Sequence, residues 1–283
     1  MIEPQAFVGS RSSGIARNAA VVLILVVLLL PIYWLIMSSF RPGDEVFRYT
    51  TQFSLDTLVP RALTLDHYRG IFAGDFPRAV FNSLLVSVVT VAFGLLVNSA
   101  AGFAFAVFDF PLKQPLFVMV LISFMMPFEA IVIPLYELMR WTGLVNTYAA
   151  LILPDVASGL VIFLFRQFFA AIPRQIYEAA RIDGASWWTI YWRMTLPLSG
   201  PTLATASLMM FIHQWDAFFW PLVAASTPDL VLVQVAIARN MTLEQSNWGA
   251  LFASASTAIL IALVPFLILQ RYYVRVVTLG ADR

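Results

Sequence analysis

Three carboxylates, Glu129, Asp155 and Asp216, sit inside stretches that are otherwise apolar. An acid in hydrocarbon is costly and usually faces a cavity or the interior of a helix bundle. Each lies about six or seven residues in from the same end of its stretch, or roughly 9–11 Å along a helix. One arrangement sets all three on a common rim around a vestibule. There they accept hydrogen bonds from solute hydroxyls, and Trp215, Phe218 and Trp220 offer ring faces for stacking. In the other arrangement each acid packs alone, against His213 or a backbone amide, or stands at headgroup level.

Bond-breaking chemistry finds no comparable constellation. The chain has no cysteine, which excludes disulfides, thiolate metal sites and a cysteine nucleophile. His67 and His213 are too few and too far apart to suggest zinc. H-E-x-x-H, G-x-S-x-G and the phosphate-cradling G-x-x-x-x-G-K-[ST] are all missing from the sequence. No catalytic residue, no metal site and no cofactor is therefore expected in this chain. The net charge of +1 gives no electrostatic case for nucleic acid.

The elements that position the acids are membrane helices. The 283 residues are 60% hydrophobic and 12% charged, against roughly 25% charged in soluble domains. Six apolar runs, at about 18–40, 79–107, 114–136, 148–169, 201–222 and 248–270, are near the roughly 20 residues that cross a bilayer. The first continues through Pro31, Tyr33 and Trp34 and reads as an uncleaved helix. The third contains Pro127 and Pro134, which free carbonyls and bend the axis. The expected fold is all-α and polytopic, with a single membrane domain over 18–275 between terminal segments 1–17 and 276–283.

Between the fourth and fifth runs lies an amphipathic stretch from Glu178 to Pro201. Its first half is made of good helix formers. Gly184 permits a turn, Ser186 can cap a second short helix, and Pro197 would end it. The result is an elbow in water, suited to touching something outside the membrane.

The elbow also carries a family pattern. Glu178-Ala179-Ala180, Asp183-Gly184-Ala185, then Leu196-Pro197 and Pro201, resemble the EAA loop of ABC-importer permease subunits. Further matches run along most of the chain. Ser39-Phe40-Arg41-Pro42 resembles S-F-[KR]-P. Thr64-Leu65-Asp66-His67-Tyr68 resembles T-L-x-N-Y, with Asp66 and His67 replacing the usual residues. Gly143 to Tyr148 reads as G-L-x-N-T-Y. Trp215 to Leu222 resembles W-N-x-[FL]-x-x-P-L, with Asp216 in place of Asn, and the tail V-T-L-G-A lacks the first Gly of its family counterpart.

The closest resemblance is to the MalG-like type of carbohydrate importer. It implies half of a heteromeric pore in the cytoplasmic (inner) membrane, with both termini and the elbow loop, 174–200, inside. The implied partners are a second, paralogous permease, two ATPase subunits that bind ATP and Mg, an extracytoplasmic solute-binding protein and a carbohydrate. Lysine and arginine number roughly ten inside against seven outside, which supports that orientation weakly. The nine elbow residues just named would couple to the ATPase. The outer loop 223–248, with Arg239, Asn240 and Glu244, would reach the binding protein; the three acids with their aromatic neighbours are expected to line the substrate pathway from their depth alone, not from the resemblance. A permease for a non-sugar solute and a secondary transporter are the alternatives. No inverted repeat of the Pro-interrupted segments is visible to favour the latter.

Overall fold

The computed structural model describes residues 11–47, 55–241 and 247–281, and every regular element among them is helical. In chain order these are α1 (Arg11–Ser38), α2 (Leu55–Leu58), α3 (Asp66–Ala73), α4 (Phe76–Val107), α5 (Lys113–Met125), α6 (Phe128–Trp141), α7 (Tyr148–Val156) and α8 (Gly159–Ala170). There follow α9 (Arg174–Ile182), α10 (Trp187–Ile190), α11 (Leu196–Leu198), α12 (Gly200–Trp215), α13 (Phe219–Ala224), α14 (Val233–Ala238) and α15 (Trp248–Ala281). Four stretches are long and apolar enough to cross a membrane unaided: Arg17–Ser38, Phe76–Val107, Tyr148–Ala170 and Trp248–Ile268. Two bent pairs, α5 with α6 and the α10–α11 stretch with α12, raise the number to six if each pair makes one span.

The chain divides into two compact units. The smaller holds residues 1–73 and 240–256. Its centre is the S-F-R-P segment. Arg41 is 2% exposed and donates from Nη2 to the carbonyls of Asp56 (2.6 Å) and Thr57 (2.9 Å). Its own carbonyl meets His67 Nε2 at 2.9 Å, and Ser39 Oγ meets the Tyr68 hydroxyl at 2.7 Å. The His67 ring fills the space where a Cβ on Gly249 would lie. Trp34, Phe47, Trp248 and Phe252 close the other side through edge contacts of 4.9–5.5 Å. Two motifs that look like family signatures are thus a mutual lock, with His67 rather than Asn as the pin.

The larger unit, residues 74–239 and 257–283, is built on α4, which packs along α7, α8 and α12. Its polarity is inverted relative to a soluble helix. Asn82, Ser83, Ser87, Thr90, Asn98 and Ser99 are buried, whereas Phe81, Val88 and Phe93 are 57–60% exposed. That is the distribution expected where the outside is hydrocarbon; Asn82, Ser83, Asn98 and Ser99 are hydrogen-bonded, whereas the Ser87 and Thr90 hydroxyls are buried with no partner among the described residues. Small residues let backbones meet: a Cβ at Gly102 would fall 2.6 Å from Phe165 Cβ and 3.0 Å from the Arg166 nitrogen. Such small-residue seams are how membrane helices approach closely.

Breaks in the helices are bridged by side chains. The α7–α8 interruption at Ala157–Ser158 leaves backbone groups without helical partners. Asn98 supplies them, donating to the Val156 carbonyl (2.9 Å) and accepting from the Ser158 N–H (2.8 Å). Pro154 has no N–H for the Ala150 carbonyl four residues back. The Trp220 indole N–H takes that carbonyl at 2.8 Å, and the Gln214 amide takes Leu151's at 3.3 Å.

Several expected boundaries are corrected. The third run, expected as one bent helix over 114–136, is α5 and α6 meeting at 102°. Pro127 restricts the residue before it to extended backbone, and Met126 has φ −72 and ψ 128. The fifth run was expected to continue to 222. It stops at Trp215, so that Asp216 and Phe218 stand in a break before α13. The loop expected over 223–248 is partly core: Val231, Leu232, Val233 and Val235 are 0–6% exposed. Asn82 holds this segment by donating to the Asp229 and Val231 carbonyls, and Ser83 Oγ accepts the Val233 N–H. The final helix runs unbroken through the tail to Ala281.

Candidate functional site

The elbow forms as two short helices joined by a fully bonded turn. α9 ends at Ile182, and Gly184 follows with φ +83, a conformation that glycine adopts without a Cβ penalty. The Gly184 N–H reaches the Arg181 carbonyl (3.1 Å), and the Ala185 N–H reaches that of Ala180 (3.0 Å). This pair of bonds is the Schellman closure of a helix C-terminus. Arg181 clamps the far side by donating to the Ala185 carbonyl at 2.7 Å. Ser186 then caps α10 by accepting the Thr189 N–H at 3.1 Å. The turn is thus closed by its own hydrogen bonds.

Past α10 the backbone widens. Tyr191–Thr195 is a π-helical turn in which the Leu196 N–H bonds the Tyr191 carbonyl. The ring of Pro197 excludes the α register four residues earlier, and the helical stretch ends at Leu198 before α12 departs at 79°.

One face of the elbow is anchored. Tyr177, Ala180, Ile190 and Tyr191 are 0–7% exposed and pack with Phe103, Phe169 and Met210. The Tyr191 hydroxyl meets Ser99 Oγ of α4 at 2.6 Å. Trp187 stands edge-on to Phe108 at 5.0 Å. Burial pushes the Tyr177 phenol above its ordinary range, so it stays neutral. Each buried side chain of this size contributes about 1.5–3 kcal/mol of apolar transfer. The middle alanines of the motif therefore differ: Ala180 has to be small to enter the core, whereas Ala179 is exposed.

The rest of the elbow surface is exposed, and Glu178 and Ile182 also border a cavity against the ends of α4, α5 and α8. Glu178, Ala179, Asp183 and Gly184 are exposed, and with them Ile182 (86%) and Trp188 (71%). Leu196 is half-buried, Ala185 likewise, and Pro197 and Pro201 are exposed. Neither Ile182 nor Trp188 was singled out from the sequence. The signal was there, as large apolar residues on the polar side of an amphipathic stretch.

The intramembrane acids divide. Asp155 pairs with His213, Oδ1 to Nε2 at 3.4 Å, and Asp216 lies near enough to interact electrostatically with the same imidazole. Gln234 Nε2 donates to Asp216 Oδ1 at 3.5 Å. Two of the three acids therefore converge on His213, and Glu129 stands exposed in the first turn of α6. The aromatic part of the rim is corrected. Trp215 and Trp220 are 3% and 5% exposed. Trp215 stacks on Phe211 at 5.7 Å, and Trp220 is committed to the Ala150 carbonyl. Only Phe218, 42% exposed, keeps a free face.

Of the residues expected to meet a binding protein, Arg239 is exposed at the C-terminus of α14. Asn240 is half-buried and spends its amide on Ser254 Oγ at 3.3 Å. Glu244 lies outside the described residues.

Residues 98–278 match the family model described as "Binding-protein-dependent transport system inner membrane component". The arabinooligosaccharides transport system permease protein AraQ of Halalkalibacterium halodurans is 36% identical over 252 residues, covering 88% of this chain and 89% of that protein. The lactose transport system permease protein LacG of Rhizobium radiobacter is 29% identical, covering 87% and 88%. Among solved structures, a bacterial ABC transporter involved in import of the acidic polysaccharide alginate superposes with a TM-score of 0.80. It is 22% identical and covers 96% of this chain and all of the other.

Proposed function

The chain belongs to the family of binding-protein-dependent inner membrane transport components, and we propose that it is the permease subunit of an ABC importer that takes up a carbohydrate. The named relatives belong to transport systems for arabinooligosaccharides and lactose, which supports a di- or oligosaccharide over a related polyol or glycerol phosphate. In this reading the chain makes half of the pore in six spans, with the elbow and both termini in the cytoplasm. A second permease completes the pore, two ATPase subunits bind ATP and Mg, and a solute-binding protein delivers the sugar outside.

The observation that carries the proposal is the two-sided elbow. Its outer face presents Ile182 and Trp188 beside Glu178 and Asp183, a surface suited to a cleft in an ATPase subunit. Its inner face is fixed to α4 through Tyr191 and Ser99, and α4 carries the helices around it. A rigid turn between the two faces converts ATPase closure into a displacement of the spans. The ATPase must bind the elbow better in one pore state than in the other, because equal contacts in both would shift nothing. On the outer side, Asp155, His213 and Asp216 form a hydrogen-bonding group along the solute pathway.

The test is ATPase activity of the purified complex in nanodiscs, with its binding protein and a panel of oligosaccharides, polyols and unrelated solutes. Stimulation by at least one sugar-loaded binding protein is the expected result. Stimulation only by amino acids, peptides or ions would overturn the carbohydrate assignment, and failure to copurify with any ATPase subunit would overturn the importer.

A further inference from the structure

We propose that the cavity between the elbow and the helix ends above it holds the phosphate headgroup of an anionic phospholipid. The cavity has a volume of about 710 Å³ and lies between α9 and the ends of α4, α5 and α8. Four cations line it, Lys113, Arg166, Arg174 and Arg181, against one carboxylate, Glu178. Lys113 and Arg174 share a single further acid, Asp109, at 3.2 and 3.7 Å. Four positive charges therefore face two negative ones, and the excess is positive.

Two of the four cations, Arg166 and Arg181, have no acid partner among the described residues. Arg166 lies with its guanidinium 4.2 Å over the Phe117 ring, and its Nε is buried with no hydrogen-bond partner among the described residues. Lys113 is only 17% exposed and also donates to the Phe108 carbonyl at 2.7 Å. Arg181 is pinned by the Ala185 carbonyl and sits 5.2 Å from Trp187, which is part of the same wall. Phe105 and Phe169 add apolar surface to the lining. The guanidinium fork matches phosphate oxygens in geometry as well as charge.

The position selects a lipid over a soluble anion. Lys113 begins one apolar helix, and Arg166 lies in the last turns of another, the span Tyr148–Ala170. This is the level at which hydrocarbon gives way to headgroups, and tryptophan is favoured there. Basic pockets between helices on the cytoplasmic side are sites for anionic headgroups. A headgroup bound here would touch Glu178 of the elbow and the helix ends together, so that lipid composition would bias coupling. The inference requires the membrane placement of the chain and does not depend on which solute is carried.

Native mass spectrometry of the intact transporter complex tests it. Wild type should retain phosphatidylglycerol in preference to phosphatidylcholine, and excess inorganic phosphate should not displace the lipid. Arg166→Gln and Lys113→Gln should each lower retention about five-fold. Arg174→Gln alters a side chain that is 73% exposed and should fold normally while lowering retention in the same direction. Equal retention of both lipids, displacement by inorganic phosphate, or unchanged retention in Arg166→Gln and Arg174→Gln would each overturn the assignment.

Discussion

The elbow and the α4–α8 seam both depend on a glycine, for opposite reasons. At Gly184 a Cβ would meet nothing within 4 Å, and the demand is purely conformational, φ +83. At Gly102 the conformation is ordinary helix, and the demand is steric, because Phe165 and the Arg166 backbone occupy the space. One region is open on one side and locked by local hydrogen bonds. The other is closed on all sides and locked by packing. In the proposed role, a surface that engages a partner and transmits its motion would keep its stiffness in its own backbone, whereas a scaffold keeps it in contacts between helices.

The contrast gives an ordered set of outcomes. Gly102→Leu should be the most damaging, because the side chain cannot enter without parting α4 from α8. Such overpacking costs about 1–3 kcal/mol and sometimes more, and the expected readout is loss of the chain from the membrane fraction on immunoblots. Recovery of wild-type levels with normal transport would show that the seam is looser than the glycine implies.

Asn98→Ala should come next. It removes the partner of the Val156 carbonyl and the Ser158 N–H, and leaving such buried groups unsatisfied costs on the order of 1–3 kcal/mol. Thermal unfolding in detergent should shift downward, and Asn98→Asp should restore only the bond to Ser158.

Gly184→Val should cost less in stability, about 1–2 kcal/mol for a left-handed residue, and more in function. The complex should assemble at normal levels, whereas transport and the ATPase response to loaded binding protein collapse. Glu178→Lys should behave alike without the backbone strain. If both variants transport normally, the elbow is only a tether, and the distinction between lever and scaffold fails.

Tyr191→Phe should cost about 0.5–1.5 kcal/mol by losing the Ser99 bond. Its mark should be ATP hydrolysis that proceeds with weakened transport. The smallest effect belongs to the extramembrane segment. The Arg61 guanidinium donates to Asp56 and holds its carboxyl below the usual range. A depressed carboxylate stabilises the folded state above its unfolded value and loses that contribution as pH falls through the folded one. Acid should therefore loosen residues 55–61 only below about pH 4, and Arg61→Gln should largely abolish that acid dependence by leaving the segment looser already at neutral pH, as read by hydrogen exchange of that segment.

Much of this was legible in the chain itself where the signal is local. Hydropathy over twenty residues marks membrane helices whatever their partners, because the bilayer is the same solvent for each. The elbow was readable for the same reason: Gly184 as a left-handed closure and Ser186 as a cap act on residues three to five positions away. Its outward apolar residues, Ile182 and Trp188, were readable in principle and passed over. The pairing of the inner acids was not legible, because counting along a helix does not give the direction a side chain takes, and Asp216 lies past the end of its helix.

What only the tertiary structure decided are the matters of partnership. Trp220 looked like a stacking face until Pro154, far away in sequence, left a carbonyl for its indole N–H. The segment 231–235 looked like a solvated connector until Asn82 captured the Val231 carbonyl from 149 residues away. Met126–Pro127 announced a bend, and its 102° was set by where α6 found apolar neighbours. Backbone groups freed by a proline or a helix end must be satisfied by something, and no rule of spacing names the donor. The sequence states which groups need partners, and the fold alone states which partners they get.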